Sequence, residues 1–176
     1  KKLSQQLRIK KNRILIIEDG GGESFKKLPR KTIVKNLISN SIVYPILDKK
    51  IFLLFGNMRR DKGHLFLSSL WSEIFCKPND PYLWIVGHDE EKISDKILKN
   101  FSPNIVIHNS YIPLELINFI YQFSVFAIFP YLSDYVGGSG PLMKGAFTHS
   151  KLALVSNVSE MGRLAKEEKL AEYFIA

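Results

Sequence analysis

The stretch Ile51-Phe52-Leu53-Leu54-Phe55-Gly56-Asn57-Met58-Arg59-Arg60-Asp61-Lys62-Gly63 decides the fold that the sequence predicts. Its first five residues form a continuous apolar run, which is typical of a strand buried on both faces of a sheet. Gly56 ends the run, and a basic loop follows as far as Gly63. From His64 onward, apolar residues recur at helical spacing, and the predicted inner stripe is Leu65, Leu67, Leu70, Trp71 and Ile74. A strand, a glycine-containing loop and a helix in this order form the repeating unit of a parallel α/β sheet.

The same unit recurs along the rest of the chain. Further strands are predicted at 82–86, 104–107, 125–129, 152–155 and 173–175, with an earlier one at 14–17. Helices are predicted at 31–40, 64–75, 90–100, 113–123 and 141–149, and after Ser159. Parallel strands joined by right-handed crossovers give a Rossmann-like, doubly wound α/β sheet. Such folds bind ligands at the carboxyl ends of the strands, so the loops that follow the strands are the candidate sites.

Length and composition fit one domain of this kind. The chain has 176 residues, 45% of them hydrophobic, and no run reaches the roughly 18 apolar residues of a membrane-spanning helix. Residues 1–30 are predicted to be a basic lead-in segment, and residues 31–176 the Rossmann-like domain. The chain opens at Lys1 without a methionine and closes at Ala176 within a strand-like run. We therefore expect a piece of a longer protein.

The net charge of +8 is concentrated at the start of the chain. Residues 1–35 hold 11 basic and three acidic residues, which leaves residues 36–176 neutral overall. Such a segment has three interpretations: a solvated surface, a contact with an anionic membrane, or nucleic-acid binding. Nucleic acid is disfavoured because no aromatic residues alternate with the basic ones to stack on bases.

Cysteine and histidine give little support to metal or redox chemistry. Cys76 is the only cysteine, which excludes an intrachain disulfide and favours a reducing cytoplasm. Because it follows an apolar run, we expect a buried, inert thiol. The four histidines lack the spacing of metal ligands, and the sequence contains no Asp-x-Asp pair. No metal or other cofactor is therefore predicted.

Two loops have features suited to anions. In residues 56–63, glycines allow close approach of a ligand, the start of a helix offers backbone N–H groups, and Arg59, Arg60 and Lys62 add positive charge. A diphosphate is the natural ligand, although the loop contains no Walker motif and no Gly-x-Gly-x-x-Gly. In residues 137–141, successive glycines favour an anion-binding nest before a helix. Solvated polar connectors are the alternative interpretation of both loops.

The predicted strands, loops and helices of residues 51–170 resemble, in their order along the chain, the C-terminal domain of group 1 (family 4) GT-B glycosyltransferases. No single piece is specific, but five pieces match the family in order and spacing: 52–63, which ends on the Lys-Gly pair, then 83–87, 105–113, 116–131 and 138–155. Residues 14–27 resemble the connection from the family's N-terminal domain. That domain, which supplies most of the acceptor site in such enzymes, is absent from this chain.

The resemblance implies the donor-binding half of an enzyme of polysaccharide biosynthesis. Such an enzyme transfers a sugar from a nucleoside-diphosphate sugar to a glycan or glycolipid acceptor, with retention and without a metal. It is cytoplasmic, with possible peripheral association at the inner membrane face, and this half is inactive alone. Lys62 then contacts the diphosphate, the amides of Gly140 and Leu142 approach the phosphates and sugar, and residues 108–111 flank the base. The predicted donor-binding residues are Gly56, Asn57, Arg59, Arg60, Lys62, Gly87, His108, Ser110, Tyr111, Asp134, Gly138, Ser139, Gly140, Leu142 and Lys144. Catalytic residues are not assigned.

Three positions depart from the family pattern. Asn57 replaces the arginine that follows the first glycine, so one of the next two arginines would have to substitute for it. The family's Glu-x7-Glu pattern is absent. Its ribose-binding glutamate falls on Lys144 and its sugar-binding glutamate near Val136, with Asp134 as the nearest carboxylate. A lysine accepts no hydrogen bond from a hydroxyl group, so ribose recognition must differ.

Two other functions remain open. A Rossmann-like binding module that has lost donor chemistry would explain the missing glutamates, since a fold does not fix a function. A sugar-nucleotide epimerase of the same two-domain architecture is disfavoured by the Lys-Gly loop. Turnover of a nucleotide sugar by the complete protein would exclude the binding module, and release of free UDP would exclude the epimerase.

Overall fold

The computed structural model describes residues 26–45, 48–99, 102–143, 152–158, 161–163 and 172–174. These residues include six strands, the five α-helices named below, a 3₁₀ turn at Arg60–Lys62 and helical residues at 161–163. The helices are α1 (Arg30–Ser39), α2 (His64–Ile74), α3 (Ile93–Lys99), α4 (Leu114–Phe123) and the single turn α5 (Gly140–Leu142). The strands are β1 (Ile51–Phe55), β2 (Tyr82–Gly87), β3 (Ile105–Asn109), β4 (Phe126–Phe129), β5 (Leu152–Ser156) and β6 (Glu172–Phe174). The predicted strand at 14–17, most of the basic segment, Lys144, His149 and Ser159 lie outside the described residues.

The strands form one sheet in the order β3-β2-β1-β4-β5-β6, and each neighbouring pair is parallel. The chain runs outward from β1 to β3, then crosses back to place β4 on the other side of β1. The strand order therefore reverses between β1 and β4. This reversal is the switch point at which Rossmann-like folds bind their ligands. The predicted α/β, doubly wound parallel fold is confirmed.

Two apolar layers, one on each face of the sheet, hold the helices. Leu53 and Trp84 pack on one face with residues of α1 and α4, whereas Leu54 and Ile85 pack on the other with residues of α2 and α3. Because successive residues of a strand point to opposite faces, a strand covered on both sides needs a continuous apolar sequence. β2 is buried at all six positions and β1 at all but Phe52. This agrees with the apolar runs from which both strands were predicted.

The inner face of α2 differs from the predicted apolar stripe. Its buried residues are His64, Leu67, Ser68 and Trp71, at spacings of three and four. The sequence pattern had placed Leu65, Leu67, Leu70, Trp71 and Ile74 inside. Ile74 is instead 56% exposed and Leu70 is 38% exposed. Gly63, at the start of the helix, has a φ angle of +70° and contacts Pro130 just after β4, so the entry into the helix is constrained by the backbone. Hydrophobicity alone does not report this constraint.

Two details at the helix ends also correct the predictions. Cys76 is exposed rather than buried, because α2 ends at Ile74 and the chain turns outward before β2. The third helix begins at Ile93 rather than Glu90, since the Asp89 carboxylate accepts the N–H groups of its first residues at 2.8 Å. Each helix within the described ranges is too short to serve as a transmembrane segment.

Candidate functional site

A cavity of about 300 Å³ opens at the carboxyl ends of β1 and β2, beside the reversal of the strand order. Its wall combines the two strand ends with the segment between β3 and α4 and the start of α5. The lining residues are Phe55, Gly56, Asn57, Lys62, Gly87, His88, Tyr111, Ile112, Leu114, Ile117 and Pro141. A larger groove of about 600 Å³ runs along α1, but it is almost entirely apolar and lies away from the strand ends. The topology therefore favours the smaller cavity as the functional site.

Residues 56–63, here called the lysine loop, form one wall of this cavity. Gly56 has a φ angle of +126° and donates its N–H to the Val86 carbonyl oxygen at 2.9 Å. A Cβ atom on Gly56 would lie 3.6 Å from the Lys62 Nζ and 3.1 Å from the Pro141 Cγ. The Lys62 ammonium group therefore lies over the backbone of Gly56 and close to Pro141. Glycine keeps this approach open and adopts the positive φ angle that the turn requires.

The ends of β1 and β2 meet backbone to backbone at a contact that we call the glycine seam, formed by Gly56 and Gly87. A Cβ atom on Gly87 would lie only 2.1 Å from the Gly56 carbonyl oxygen, and its φ angle is +153°. Beyond the seam, Met58 bridges to Asp89 and donates its N–H to the His88 carbonyl oxygen at 2.8 Å. This side of the cavity is therefore shaped by main chain rather than by side chains.

The two arginines of the lysine loop do not line the cavity. Arg59 forms a bidentate ion pair with Asp61, in which Nε donates to Oδ1 at 3.0 Å. This hydrogen bonding raises the pKa of Arg59 and lowers the pKa of Asp61. Arg60 is exposed, and its backbone N–H donates to Glu91 Oε2 at 3.1 Å. Lys62 is therefore the cation of this loop that reaches the cavity.

Lys62 is partly buried, and its charge is only partly compensated. Burial lowers the pKa of Lys62, and the positive charge of Arg59 lowers it further, while Asp61 and Glu90 act in the opposite direction. An anion beside Nζ favours the charged form of a lysine. Binding of an anion in the cavity and protonation of Lys62 would therefore support each other.

Residues 130–142, here called the tyrosine loop, reach the cavity at Pro141 and are held by tyrosine hydroxyl groups. Three hydrogen bonds do this: Tyr121 to the Pro141 carbonyl oxygen (2.7 Å), Tyr131 with Ser139 Oγ (2.9 Å) and Tyr135 to the Gly138 carbonyl oxygen (2.6 Å). Tyr121 and Tyr131 are completely buried, and burial raises the pKa of both hydroxyl groups. They therefore stay neutral and hold the loop over a wide pH range.

None of these tyrosines was among the predicted site residues. Tyr131 and Tyr135 flank the glycine-rich segment in the sequence, and that proximity was the one available signal. Tyr121 lies on α4, and its contact with Pro141 follows from tertiary packing alone.

The glycine-rich segment of the tyrosine loop has a capped start. Ser139 precedes α5, and its Oγ accepts the Leu142 N–H at 3.1 Å. The Leu142 amide, predicted to approach a ligand, is thus already engaged by this hydroxyl group. A Cβ atom on Gly138 or Gly140 would meet open space, so the backbone there is accessible from outside. The predicted contacts of Gly138, Ser139, Gly140 and Leu142 with phosphates remain predictions.

His108 has a structural role that the sequence did not indicate. It lies within β3, where its Nδ1 accepts the Val43 N–H at 3.2 Å, and Trp84 Nε1 donates to the Val43 carbonyl oxygen at 2.8 Å. The two side chains fasten the segment after α1 to the sheet. Burial lowers the pKa of His108, which favours the neutral ring that this acceptor role needs.

The structure brings together five of the predicted donor-binding residues in the cavity wall: Gly56, Asn57, Lys62, Gly87 and Tyr111. His108, Ser110 and Asp134 do not line it. Tyr111 is 77% exposed, so its ring is available to a ligand. In the described part of the chain, no group of three or more His, Cys, Asp or Glu residues lies together as a metal site would require.

The sequence of the chain matches no family model and no curated protein. Its structure, however, resembles solved glycosyltransferases. A glycosyltransferase from Rickettsia africae ESF-5 superimposes with a TM-score of 0.72 at 18% sequence identity. The match covers 98% of this chain and 47% of the Rickettsia chain, so the chain spans about half the length of that protein. The chain therefore has the Rossmann-like fold of about one half of that glycosyltransferase.

Two other structures agree. The C-terminal domain of a glycosyl transferase group 1 family protein from Francisella tularensis gives a TM-score of 0.55 at 11% identity, and the match covers 85% of this chain and 82% of that one. An E. coli trehalose-6-phosphate structure bound with UDP-2-fluoro glucose gives 0.53 at 13% identity, over 85% of this chain and 39% of that one. At these identities the likeness concerns the fold, and function has to be argued from the site.

Proposed function

We propose that this chain is the donor-binding, C-terminal domain of a metal-independent GT-B glycosyltransferase. The enzyme would transfer a sugar from a nucleoside-diphosphate sugar to a glycan or glycolipid acceptor, with retention, in polysaccharide biosynthesis. The observation that carries the proposal is the position of Lys62, whose Nζ lies over Gly56 and beside Pro141 at the switch point of the sheet. The UDP-sugar bound in the E. coli structure of the same fold supports the class of donor.

The two loops suggest how a diphosphate would be held. Lys62 and Pro141 both line the cavity, and the glycine-rich backbone of the tyrosine loop directly precedes Pro141. When the bond between the sugar and the diphosphate breaks, negative charge grows on the leaving phosphate oxygens. A fixed cation and fixed backbone donors stabilise that charge without reorganising, which lowers the barrier.

The remaining parts of the proposal concern the base, the acceptor and the location. The exposed Tyr111 ring at the cavity wall is suited to stack on a nucleobase. The acceptor would be bound by an N-terminal domain of the same protein, as in enzymes of this architecture. The basic segment at 1–35 is consistent with a cytoplasmic enzyme that associates with an anionic membrane surface.

Binding of a nucleoside diphosphate tests the proposal directly. The thermal unfolding of the 176-residue chain is measured with UDP, GDP and ADP at millimolar concentration. A ligand at ten times its Kd stabilises the folded state by about 1.4 kcal/mol, which raises the Tm by about 3–5 °C for a chain of this size. We expect such a rise with one of the three nucleotides and its loss in Lys62→Ala.

The matched control is Lys99→Ala, which removes the same charge from the exposed end of α3. This variant should keep the full rise in Tm. No rise with any of the three nucleotides, or an equal rise in Lys62→Ala and the unchanged chain, would refute the proposal.

A second candidate is a binding module that has lost donor chemistry. Two observations favour it: among the described residues no carboxylate lines the cavity, and Val136, near the family's sugar-binding glutamate, is 89% exposed. Such a module would bind the nucleotide but release none from a nucleotide sugar. Turnover of UDP-, GDP- or ADP-sugars by the complete protein, followed as free nucleotide, therefore separates the two candidates.

A further inference from the structure

Recognition of a ribonucleotide poses a problem that the cavity wall does not solve. The wall offers a lysine, an asparagine and a histidine, with aromatic and apolar side chains around them. Ribose hydroxyl groups are best recognised by a carboxylate, which accepts hydrogen bonds from both. The described wall lacks a carboxylate, and acidic side chains lie at its rim instead.

Four acidic residues lie on the segments around the lysine loop, and three have other roles. Asp61 is paired with Arg59, Asp89 caps α3, and Glu91 accepts the Arg60 N–H. These three carboxylates hold the protein's own groups in place.

Glu90 is the fourth. Its Oε1 accepts a hydrogen bond from Asn57 Nδ2 at 2.5 Å, and Asn57 lines the cavity. Its Oε2 has no hydrogen-bond partner among the described residues, and the side chain is exposed. Asn57 thus fixes one oxygen of Glu90 at the rim and leaves the other for a ligand.

The position of Glu90 in the topology supports a role in ribose binding. The sheet has the strand order of dinucleotide-binding Rossmann folds, in which the loop after the first strand holds phosphates. In those folds an acidic residue beyond the second strand accepts hydrogen bonds from the ribose hydroxyl groups. Here the lysine loop follows β1, and Glu90 lies three residues after Gly87, the last residue of β2.

We propose that Glu90, held by Asn57, is the residue that recognises the ribose hydroxyl groups of the nucleotide, in the place of the carboxylate that is missing from the tyrosine-loop side. The inference rests on the proposed function, because it takes the diphosphate to lie at Lys62. Hydrogen bonds from the ribose hydroxyl groups to Glu90 make the site bind ribonucleotides more tightly than their deoxy forms.

The test compares a nucleoside diphosphate with its 2′-deoxy and 3′-deoxy forms. The nucleoside diphosphate used is whichever of UDP, GDP and ADP binds most tightly. The Kd of each form is measured by calorimetry on the 176-residue chain. A lost hydrogen bond to a charged group weakens binding about tenfold or more. We expect at least one deoxy form to bind that much more weakly to the unchanged chain. In Glu90→Gln the ratio should fall to about two or below, since no charged acceptor remains.

Glu73→Gln is the matched control, because it makes the same change at an exposed position of α2 that does not line the cavity. It should keep the discrimination ratio of the unchanged chain. Equal affinity of the unchanged chain for the ribose and both deoxy forms would overturn the proposal. An equal loss of affinity for all three ligands in Glu90→Gln would also overturn it, because Glu90 would then act only by positioning Asn57.

Two further outcomes separate this proposal from the proposed function. Absence of any nucleotide binding would refute the proposed function itself. Binding that depends on Lys62 but is equal for ribose and deoxy forms would refute only the role of Glu90.

Discussion

The lysine loop and, through Pro141, the tyrosine loop contribute to the same cavity, but the side chains that hold the two loops are of different kinds. Charged groups near the surface hold the lysine loop: the Arg59–Asp61 ion pair and the Glu91 carboxylate on the Arg60 N–H. Neutral hydroxyl groups, two of them completely buried, hold the tyrosine loop. Exposed ion pairs weaken with salt and yield to competing anions, whereas buried neutral hydrogen bonds respond to neither. The lysine loop is therefore expected to adapt to salt and to bound anions, whereas the tyrosine loop is expected to keep its conformation.

The two loops are joined where Gly63 lies against Pro130 and where Leu132 donates its N–H to the Asp61 carbonyl oxygen at 2.8 Å. Breaking the contact at Gly63 should have the largest effect. Gly63 has a φ angle of +70°, and a Cβ atom there would lie 1.9 Å from the Pro130 carbonyl oxygen. Gly63→Ala should therefore lower the free energy of unfolding by about 3 kcal/mol or more, because a strained backbone and an overpacked contact add. Urea unfolding measures the change.

The control for this variant lies on the tyrosine loop. A Cβ atom on Gly138 would meet open space, so Gly138→Ala should cost less than about 0.5 kcal/mol. Similar costs for the two variants would contradict a tight junction at Gly63.

Acid should act on the lysine loop and leave the tyrosine loop intact. His64 is 1% exposed, its Nδ1 lies 3.3 Å from the Arg59 carbonyl oxygen, and burial lowers its pKa from 6.5 to about 4. Between these values the unfolded chain binds more protons than the folded one, so stability is complete above pH 6.5 and falls as the pH drops towards 4. By linkage, His64 alone should cost about 2 kcal/mol between pH 7.5 and pH 5.

Urea unfolding of the unchanged chain and of His64→Gln at both pH values isolates this contribution. The loss of stability on acidification should be about 2 kcal/mol smaller in the variant, because the ionisable group is gone. An equal loss in both chains would show that His64 takes up its proton equally in the folded and unfolded states.

A smaller effect is expected from a single hydroxyl group of the tyrosine loop. Tyr131→Phe removes the buried hydrogen bond to Ser139, which should lower the free energy of unfolding by about 1–2 kcal/mol. The loss should be the same at low and high salt, since neither partner is charged. Tyr44→Phe, at a partly buried ring, should change the stability by less than about 0.5 kcal/mol. If the loss of unfolding free energy in Tyr131→Phe varied with salt concentration, the proposed contrast between charged contacts in the lysine loop and neutral contacts in the tyrosine loop would be wrong.

The sequence predicted the lysine loop better than the tyrosine loop, for a physical reason. A buried parallel strand requires an apolar run, and the glycine, lysine and helix start that follow it are local features. Ile51–Phe55 and the placement of Lys62 at the cavity were therefore accessible from pattern alone. The bond from Tyr121 to Pro141 joins residues 20 positions apart and leaves no periodic trace.

The predictions that failed share a cause of the same kind. Cys76 and Ile74 were expected inside because they are apolar or follow apolar residues, yet both are exposed where α2 ends. Conversely, His64 and Ser68 are buried although they are polar. Burial depends on how a helix is rotated against its neighbours, which the hydrophobicity of its own residues does not determine. Arg59, which was predicted to contact a ligand, is paired in the structure with Asp61, two residues away.

The glycine seam has a consequence for how such a protein diversifies. Because Gly87 leaves 2.1 Å between a possible Cβ atom and the Gly56 carbonyl oxygen, no substitution there is neutral. The rim residues Asn57, Glu90 and Tyr111 carry no such constraint, since all three are exposed. During evolution towards a new substrate, the rim residues are therefore free to change, whereas Gly56 and Gly87 have to be retained. A randomised library that spares the two glycines should retain far more folded members than one that includes them.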